Sequence, residues 1–303
     1  MREHLSSTDD PAEGVTSTQT DPASRVEIDE SVPEIGTVGK LSWLVRTTGR
    51  QAILTLIPIA GAMAIWQIVA MSGVAHPALF PPLEHIFAAI GEMAARGTLW
   101  TDIIRSMYRL LVSVGIGIII GTSLGLLMGT RAFFERAFTP LMNFGLATPG
   151  IALIPLAILW FGLTNMTIIS ILIIEVILVT MLNTWSSVKS VDQRLIDAAR
   201  TMGCQGSELF RRILLPGSLV GIIGGYRLAF SRAWRILVAG EMLAGVAGGL
   251  GYRIFEARQM FRADMVYGGI LIIGVMGLLL ERVVLRSLEA ATVDRWGAVR
   301  ELK

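Results

Sequence analysis

Long apolar runs separated by polar segments dominate the chain from residue 52 onward. Each run is close in length to what an α-helix needs to cross the hydrocarbon core of a bilayer, which is about 20 residues. There are six such runs, at residues 52–71, 108–128, 138–161, 166–184, 219–243 and 265–285. The pattern predicts an all-α polytopic membrane protein with six transmembrane helices.

The second run carries a glycine at every fourth position. These glycines are Gly117, Gly121, Gly125 and Gly129. At that spacing they share one helix face, where the backbone of another helix can approach closely. We therefore expect the second run to pack tightly against another membrane helix along this face.

The third run contains three prolines, Pro140, Pro149 and Pro155, and Pro149 is followed by Gly150. Proline interrupts or kinks a helix because it lacks an N–H group and crowds the preceding turn. Backbone groups freed inside a membrane must be satisfied by protein or by a water-lined cavity. The broken run is therefore either part of a translocation path or a kink that only fits neighbouring helices.

Charged residues interrupt the fourth and fifth runs. They are Glu175 in the fourth run, and Arg227, Arg232, Arg235 and Glu241 in the fifth. At about 100° per residue the four charges of the fifth run fall on one half of the helix, which is expected to face the bundle interior or a polar path. The arginines either attract an anion along that path or pair with Glu175 and Glu241.

A polar segment, residues 191–216, lies between the fourth and fifth runs. Its pattern predicts two short helices: Asp192 caps the first, Gly203 follows its end in a left-handed conformation, Ser207 caps the second, and Pro216 ends it. With this segment on the cytoplasmic side, six spans place both termini there too. The opposite side then carries only Arg96, Arg105, Arg109, Arg253, Arg258 and Arg262, so most cations are inside, as the positive-inside rule requires. This indicates a multi-pass protein of the plasma (inner) membrane.

Outside the runs, residues 1–40 are rich in Ser, Thr, Asp, Glu and Pro, which predicts a disordered cytoplasmic tail. Residues 41–303 are predicted to form the transmembrane domain. The N-terminus lacks a positive segment followed directly by an apolar core, so the first run is expected to remain as a membrane anchor.

The composition is typical of a membrane protein, and the sequence motifs do not indicate an enzyme. The chain is 53% hydrophobic and 17% charged, its mean hydropathy is +0.62, and its net charge of +2 is too small to indicate nucleic-acid binding. The Gly121–Gly125 segment matches a GxSxG pattern, but no histidine in the spans could act as its base. A phosphate-binding GxxxxGK[ST] loop is absent from the sequence. We predict no catalytic residue, no metal site and no cofactor.

The polar segment resembles the EAA loop of ABC-importer permeases, which reads Glu-Ala-Ala, three residues, Gly, nine residues, then Ile-x-Leu-Pro. Its positions are occupied here by Asp197, Ala198, Ala199, Gly203, Ile213, Leu215 and Pro216, with aspartate in place of glutamate. Further stretches, including residues 149–162 and 227–242, are similar to the branch that serves nitrate, sulfonate and taurine.

The resemblance implies a type I importer. In such a system residues 191–216 form the coupling loop, and two cytoplasmic ATP-binding subunits bind the coupling loops of two copies of the permease. An extracytoplasmic binding protein delivers a small, anionic solute. ATP hydrolysis is then expected on the partner, and a homodimer in membrane lipid is expected for this chain. The translocation path would involve Pro149, Pro155, Glu175, Arg227, Arg232, Arg235 and Glu241.

Three other functions remain open from the sequence. An ion-coupled secondary transporter would use Glu175 and Arg227 for coupling, but the chain shows no paired half-repeats. A non-transporting membrane scaffold would leave the broken third run and the one-sided charges unexplained. An intramembrane hydrolase would need a base within the spans.

Overall fold

The structure is a computed structural model that describes residues 57–73, 76 and 78–296, with side chains as far as residue 282. The described residues from 60 onward belong to one compact unit. The predicted tail at residues 1–40 lies outside the described residues.

The described residues form helices joined by short connections and contain no strand, as the sequence predicts. The helices are α1 Ile57–Met71, α2 Leu83–Ala95, α3 Thr98–Thr130, α4 Ala132–Ala147, α5 Ile154–Phe161, α6 Asn165–Lys189, α7 Gln193–Thr201, α8 Ser207–Leu209, α9 Leu215–Ala244, α10 Leu250–Gln259 and α11 Ala263–Trp296. A 3-10 turn, Gly150–Leu153, precedes α5, and a π-helical turn, Phe210–Leu214, joins α8 to α9.

Helices lie at all six predicted runs. Four of them are long and apolar enough to cross a membrane, namely Thr98–Thr130, Asn165–Lys189, Ser207–Ala244 and Ala263–Arg282. The third predicted run is instead a pair, α4 and the Gly150–Phe161 segment, bent by 90°. The first is described only from Ile57, as a shorter apolar helix.

The glycines of α3 pack against α6, which confirms the predicted role of the glycine strip. A Cβ atom at Gly121 would lie 2.8 Å from the carbonyl oxygen of Ile177, and one at Gly125 would lie 2.7 Å from that of Met181. Only a residue without a side chain permits backbones to approach this closely. The two helices consequently run side by side along most of their length.

The main apolar core lies where α3, α6 and α9 meet. Leu110, Leu172, Val176, Ala233 and Leu237 are buried there. The small residue Ala233 lets α9 approach its neighbours, and branched side chains fill the remaining space. This core fixes the relative position of the three helices that carry the charged residues.

The break in the third run differs from the prediction. Helix α4 continues through Pro140 and ends at Ala147. Thr148 is extended (φ −85°, ψ 123°), the conformation favoured by a residue that precedes a proline, here Pro149. Pro155 lies in the first turn of α5, where its missing N–H leaves no helix hydrogen bond unmade. Of the three prolines, only Pro149 therefore lies at the break.

Candidate functional site

The first half of segment 191–216 has the predicted geometry. Asp192 caps α7, its Oδ1 accepting a hydrogen bond of 2.9 Å from the N–H of Arg194. Gly203 follows α7 with φ +88°, a left-handed conformation that favours glycine. Beneath α7, Ile196, Ala199 and Leu209 form a small buried cluster. The segment therefore has an apolar core of its own.

The second half differs from the prediction in two respects. The N-cap of α8 is Gly206, so Ser207 is not a cap. Pro216 does not end a helix but lies in the first turn of α9, where proline is tolerated. As a result the chain runs as one continuous helix over Ser207–Ala244, and the loop is connected rigidly to a membrane span.

The outer face of α7 is apolar at its centre. Leu195 is 57% exposed, Met202 is 79% exposed, and Ala198 lies exposed between them. Asp197 is also exposed, with Gln193 donating to it and Arg200 at 3.5 Å. Ala199, in contrast, points into the buried cluster. Ile213, Leu215 and Pro216 are half-buried where the loop joins α9.

The break at Pro149 lies beside a buried charge. Glu175 of α6 is 4% exposed, and its Oε1 is 2.7 Å from Nη2 of Arg232 on α9, whose side chain is 45% exposed. The Oε2 atom of Glu175 would lie 3.0 Å from a Cβ atom at Gly150. The structure thus brings together the break, the intramembrane carboxylate and one arginine of α9.

The arginines of α9 lie on the surface of the chain and not in its interior, which leaves the polar path of the two predicted alternatives. At about 100° per residue, Arg227, Arg232 and Arg235 share one half of the helix, and the opposite half carries the buried residues Ala233 and Leu237. All three arginines are exposed. The α9 face that they occupy, here called the arginine face, is opposite the apolar core because the small and branched residues fill the inner side.

Two of these arginines have carboxylate partners. Arg232 pairs with Glu175, and Arg227 lies 3.2 Å from Glu281 of α11. Nε of Arg235 donates only to the carbonyl of Ser231 on its own helix, at 3.2 Å. Among the described residues Arg235 thus has no carboxylate partner, and the arginine face carries one uncompensated positive charge.

Glu241 is buried, unlike the three arginines, and has a different partner from those predicted. Its Oε1 is 2.7 Å from Nη1 of Arg109, and the two side chains are 0% and 1% exposed. Ser106 donates to the same carboxylate at 2.8 Å and the N–H of Gly251 donates at 2.9 Å. The guanidinium of Arg109 also donates to Asn165.

Asp102 extends this network to α10. It accepts from Nε of Arg253 at 2.8 Å and from the N–H of Gly249 at 3.0 Å. Burial disfavours the charged form of Arg253, but the hydrogen bond to Asp102 and the negative charges of Asp102 and Glu256 together outweigh it and raise the pKa of the guanidinium above its ordinary value. The network therefore ties the start of α10 to α3 and α9.

This network was not predicted from the sequence, where Arg109 was only counted among the cations on the side opposite the cytoplasm. A signal was present: Asp102, Ser106 and Arg109 recur at intervals of four and three, so they share one helix face at the start of a long apolar run. The network lies at the opposite end of α3 from Thr130, which is near the loop. Since α3 has 33 residues, the two ends are about 50 Å apart.

Helices long enough and apolar enough to cross a membrane, a broken span beside a buried charge and a polar loop continuous with one span are the features of a polytopic α-helical membrane protein. The chain belongs to the ABC-importer permeases: its residues 113–290 match the family described as binding-protein-dependent transport system inner membrane component. The resemblance stated from the sequence is confirmed, and the chain is a multi-pass inner-membrane permease subunit.

Named relatives agree with this family, and a solved structure shares its fold. A protein of Methanocaldococcus jannaschii named as a putative ABC transporter permease is 31% identical over 242 residues, covering 78% of this chain and 90% of the relative. A Bacillus subtilis protein named as a putative aliphatic sulfonates transport permease, SsuC, is 31% identical, covering 74% and 80%. A chain from inward-facing conformations of the MetNI methionine ABC transporter superposes with TM-score 0.56 at 19% identity, covering 64% of this chain and 98% of that one, and shows a shared fold.

Proposed function

We propose that this permease moves a small anionic solute, of the sulfonate type, through a path bordered by the arginine face of α9. The observation that carries the proposal is Arg235, an exposed arginine on a membrane-spanning helix with no carboxylate partner among the described residues. A charge at the centre of a membrane helix costs about 2.5–3.5 kcal/mol on insertion scales, so such a side chain faces protein or water. The relative named for aliphatic sulfonates supports the same class of solute.

A second copy of the chain would cover the arginine face. The exposed faces of Arg227, Arg232 and Arg235 cannot lie against lipid without this cost, and a homodimer would enclose two such faces around one aqueous path. Glu175 would hold Arg232 in place at the edge of the path, next to the break after Pro149. We place Glu241 outside the path, since it is buried in the network with Arg109.

The loop at residues 191–216 would dock on a cytoplasmic ATP-binding subunit. A small apolar surface, here called the knob, lies exposed on one side of α7. It is formed by Leu195, Ala198 and Met202, and could fit into a cleft on that subunit. ATP hydrolysis would take place on that subunit, with two copies per homodimer. Docking there would place the loop and both chain termini in the cytoplasm, and an extracytoplasmic binding protein would deliver solute at the network end.

Coupling would follow from the continuity of the loop with α9. Ser207–Ala244 is one helix of 38 residues, about 57 Å long. When ATP binding draws the two ATP-binding subunits together, a displacement of α7 would be carried along this helix to Arg232 and Arg235. The path would then alternate between outward and inward access, with chemistry confined to the partner subunit.

The first experiment is affinity purification of the tagged chain in mild detergent, with an ATPase assay and mass spectrometry of the proteins recovered. We expect a co-purifying ATP-binding subunit, its loss in Ala198→Glu, and its retention in Gln205→Glu, an exposed change in the same loop. Recovery of the chain alone, active in liposomes under an ion gradient, would establish the secondary-transporter alternative instead.

The second experiment tests the solute. The reconstituted complex is assayed for uptake of a radiolabelled small sulfonate, with Arg235→Gln compared with Arg258→Gln, an exposed arginine of α10. We expect uptake to fall at least tenfold in Arg235→Gln only. Unchanged uptake in an assembled Arg235→Gln complex would show that the arginine face does not border the path.

A further inference from the structure

A cavity of about 650 Å³ lies behind the loop, at the junction of α3, α6 and α7. Three cations line it, each from a different part of the chain: Arg131 between α3 and α4, Lys189 at the end of α6, and Arg200 in α7. None of the described residues that line the cavity is an Asp or Glu. The cavity, here called the loop-end cavity, is therefore electropositive.

Part of that charge is not neutralised nearby. Lys189 lies 2.8 Å from Glu135, and Arg200 lies 3.5 Å from Asp197, a contact between side chains that are both more than half exposed. An exposed contact of this kind contributes little. Among the described residues Arg131 has no ion pair. The cavity thus offers at least one full positive charge to an occupant, together with the hydrogen-bonding side chains of Gln193 and Ser207.

The other wall of the cavity is apolar and belongs to membrane spans. Val188 lies in the last turn of α6, and Leu214 lies just before α9. Val188 is one residue from the end of one span, Asn165–Lys189, and Leu214 is seven residues from the start of another, Ser207–Ala244. The cavity therefore lies at the boundary between the hydrocarbon core and water, with its cations on the polar side and its apolar wall on the other.

The loop-end cavity is separate from the knob on α7. At about 100° per residue, Leu195, Ala198 and Met202 share one side of the helix, and Arg200 and Gln193 lie on the opposite side. The knob and the cavity thus use different sides of one short helix. A ligand in the cavity would contact α7 from behind while the knob remained available to a partner.

We propose that the loop-end cavity binds the phosphate headgroup of an anionic phospholipid. Clustered cations between membrane helices recognise such headgroups, and the apolar wall of Val188 and Leu214 would lie along the first acyl carbons. The bound lipid would bridge α3, α6 and α7, and so stabilise the position of the loop. Its effect on transport rests on the function proposed above, but its binding does not.

The test measures lipid retention by the full-length chain in phosphatidylcholine nanodiscs, prepared with and without phosphatidylglycerol and analysed by native mass spectrometry. We expect Arg131→Gln and Arg200→Gln each to lower phosphatidylglycerol retention about fivefold. Arg211→Gln, which removes an exposed cation of the same loop that does not line the cavity, should leave it unchanged. Equal retention in all the variants would overturn the proposal.

A second measurement identifies the source of the phosphate and does not depend on the variants folding. A photoactivatable phosphatidylglycerol analogue is crosslinked to the wild-type chain in the same nanodiscs, and adducts in peptides covering residues 129–131 or 188–200 are expected. Adducts confined to other peptides would overturn the proposal. Binding of inorganic phosphate that depends on Arg131, without any preference for phosphatidylglycerol, would overturn the lipid assignment. A failed transport assay alone would bear only on the function proposed above.

Discussion

Glu241→Gln is the substitution that best tests the buried network between α3, α9 and α10. The wild-type carboxylate is 0% exposed and accepts hydrogen bonds from Arg109, Ser106 and the N–H of Gly251. Glutamine has nearly the same shape but only one acceptor oxygen and no charge. The substitution therefore leaves the guanidinium of Arg109 buried without a counter-ion.

The expected magnitude follows from this burial. Removing one partner of a buried ion pair costs about 3–5 kcal/mol, because the other charge remains desolvated. Arg109→Met should cost a similar amount for the same reason. The double variant contains neither buried charge, so its loss should be well below the sum of the two single losses, with a coupling energy of about 2 kcal/mol or more.

The assay is reversible unfolding of the purified chain in mixed micelles with increasing sodium dodecyl sulfate, followed by far-ultraviolet circular dichroism. Arg96→Gln provides the control, since Arg96 is 68% exposed in its pair with Glu92 and should contribute less than about 1 kcal/mol. Two results would contradict the prediction. One is that Glu241→Gln lowers the unfolding free energy no more than Arg96→Gln does. The other is that the losses of Glu241→Gln and Arg109→Met simply add, which would mean that the two side chains do not stabilise the fold as a buried ion pair.

Three further predictions concern glycines. Gly125→Val should separate α3 from α6 and lower the unfolding free energy by about 1–3 kcal/mol, whereas Gly115→Val, with no atom within 4 Å of its Cβ position, should be tolerated in the same unfolding assay. Gly203→Ala should strain the corner after α7 by about 1–2 kcal/mol and speed its limited proteolysis, with Gly203→Asn affected less. Gly150→Ala would place a methyl group 3.0 Å from the Glu175 carboxylate, and should lower sulfonate uptake without lowering the yield of the assembled complex.

Features governed by local rules could be predicted from the sequence. The apolar runs predicted helices because burial in lipid requires every backbone group to bond within its own segment. The cap at Asp192 and the left-handed Gly203 followed from the conformations that those residues favour. The family could be recognised because the spacing from Asp197 to Pro216 is a property of one continuous stretch of chain.

Features that depend on contacts between distant parts of the chain could not be predicted from the sequence. Glu241 and Arg109 are 132 positions apart, and nothing in the local pattern of either states that they meet. Proline at position 216 is compatible with ending one helix or beginning another, and only the continuous helix around it decides between them.

The same distinction explains the arginine face. That Arg227, Arg232 and Arg235 share one half of α9 could be read directly from the chain, because helical periodicity fixes that relation. Which way that half points was set by packing between helices. Ala229, Ala233 and Leu237 fill the side against α3 and α6, and the close approach of helices along small residues leaves no room there for guanidinium groups.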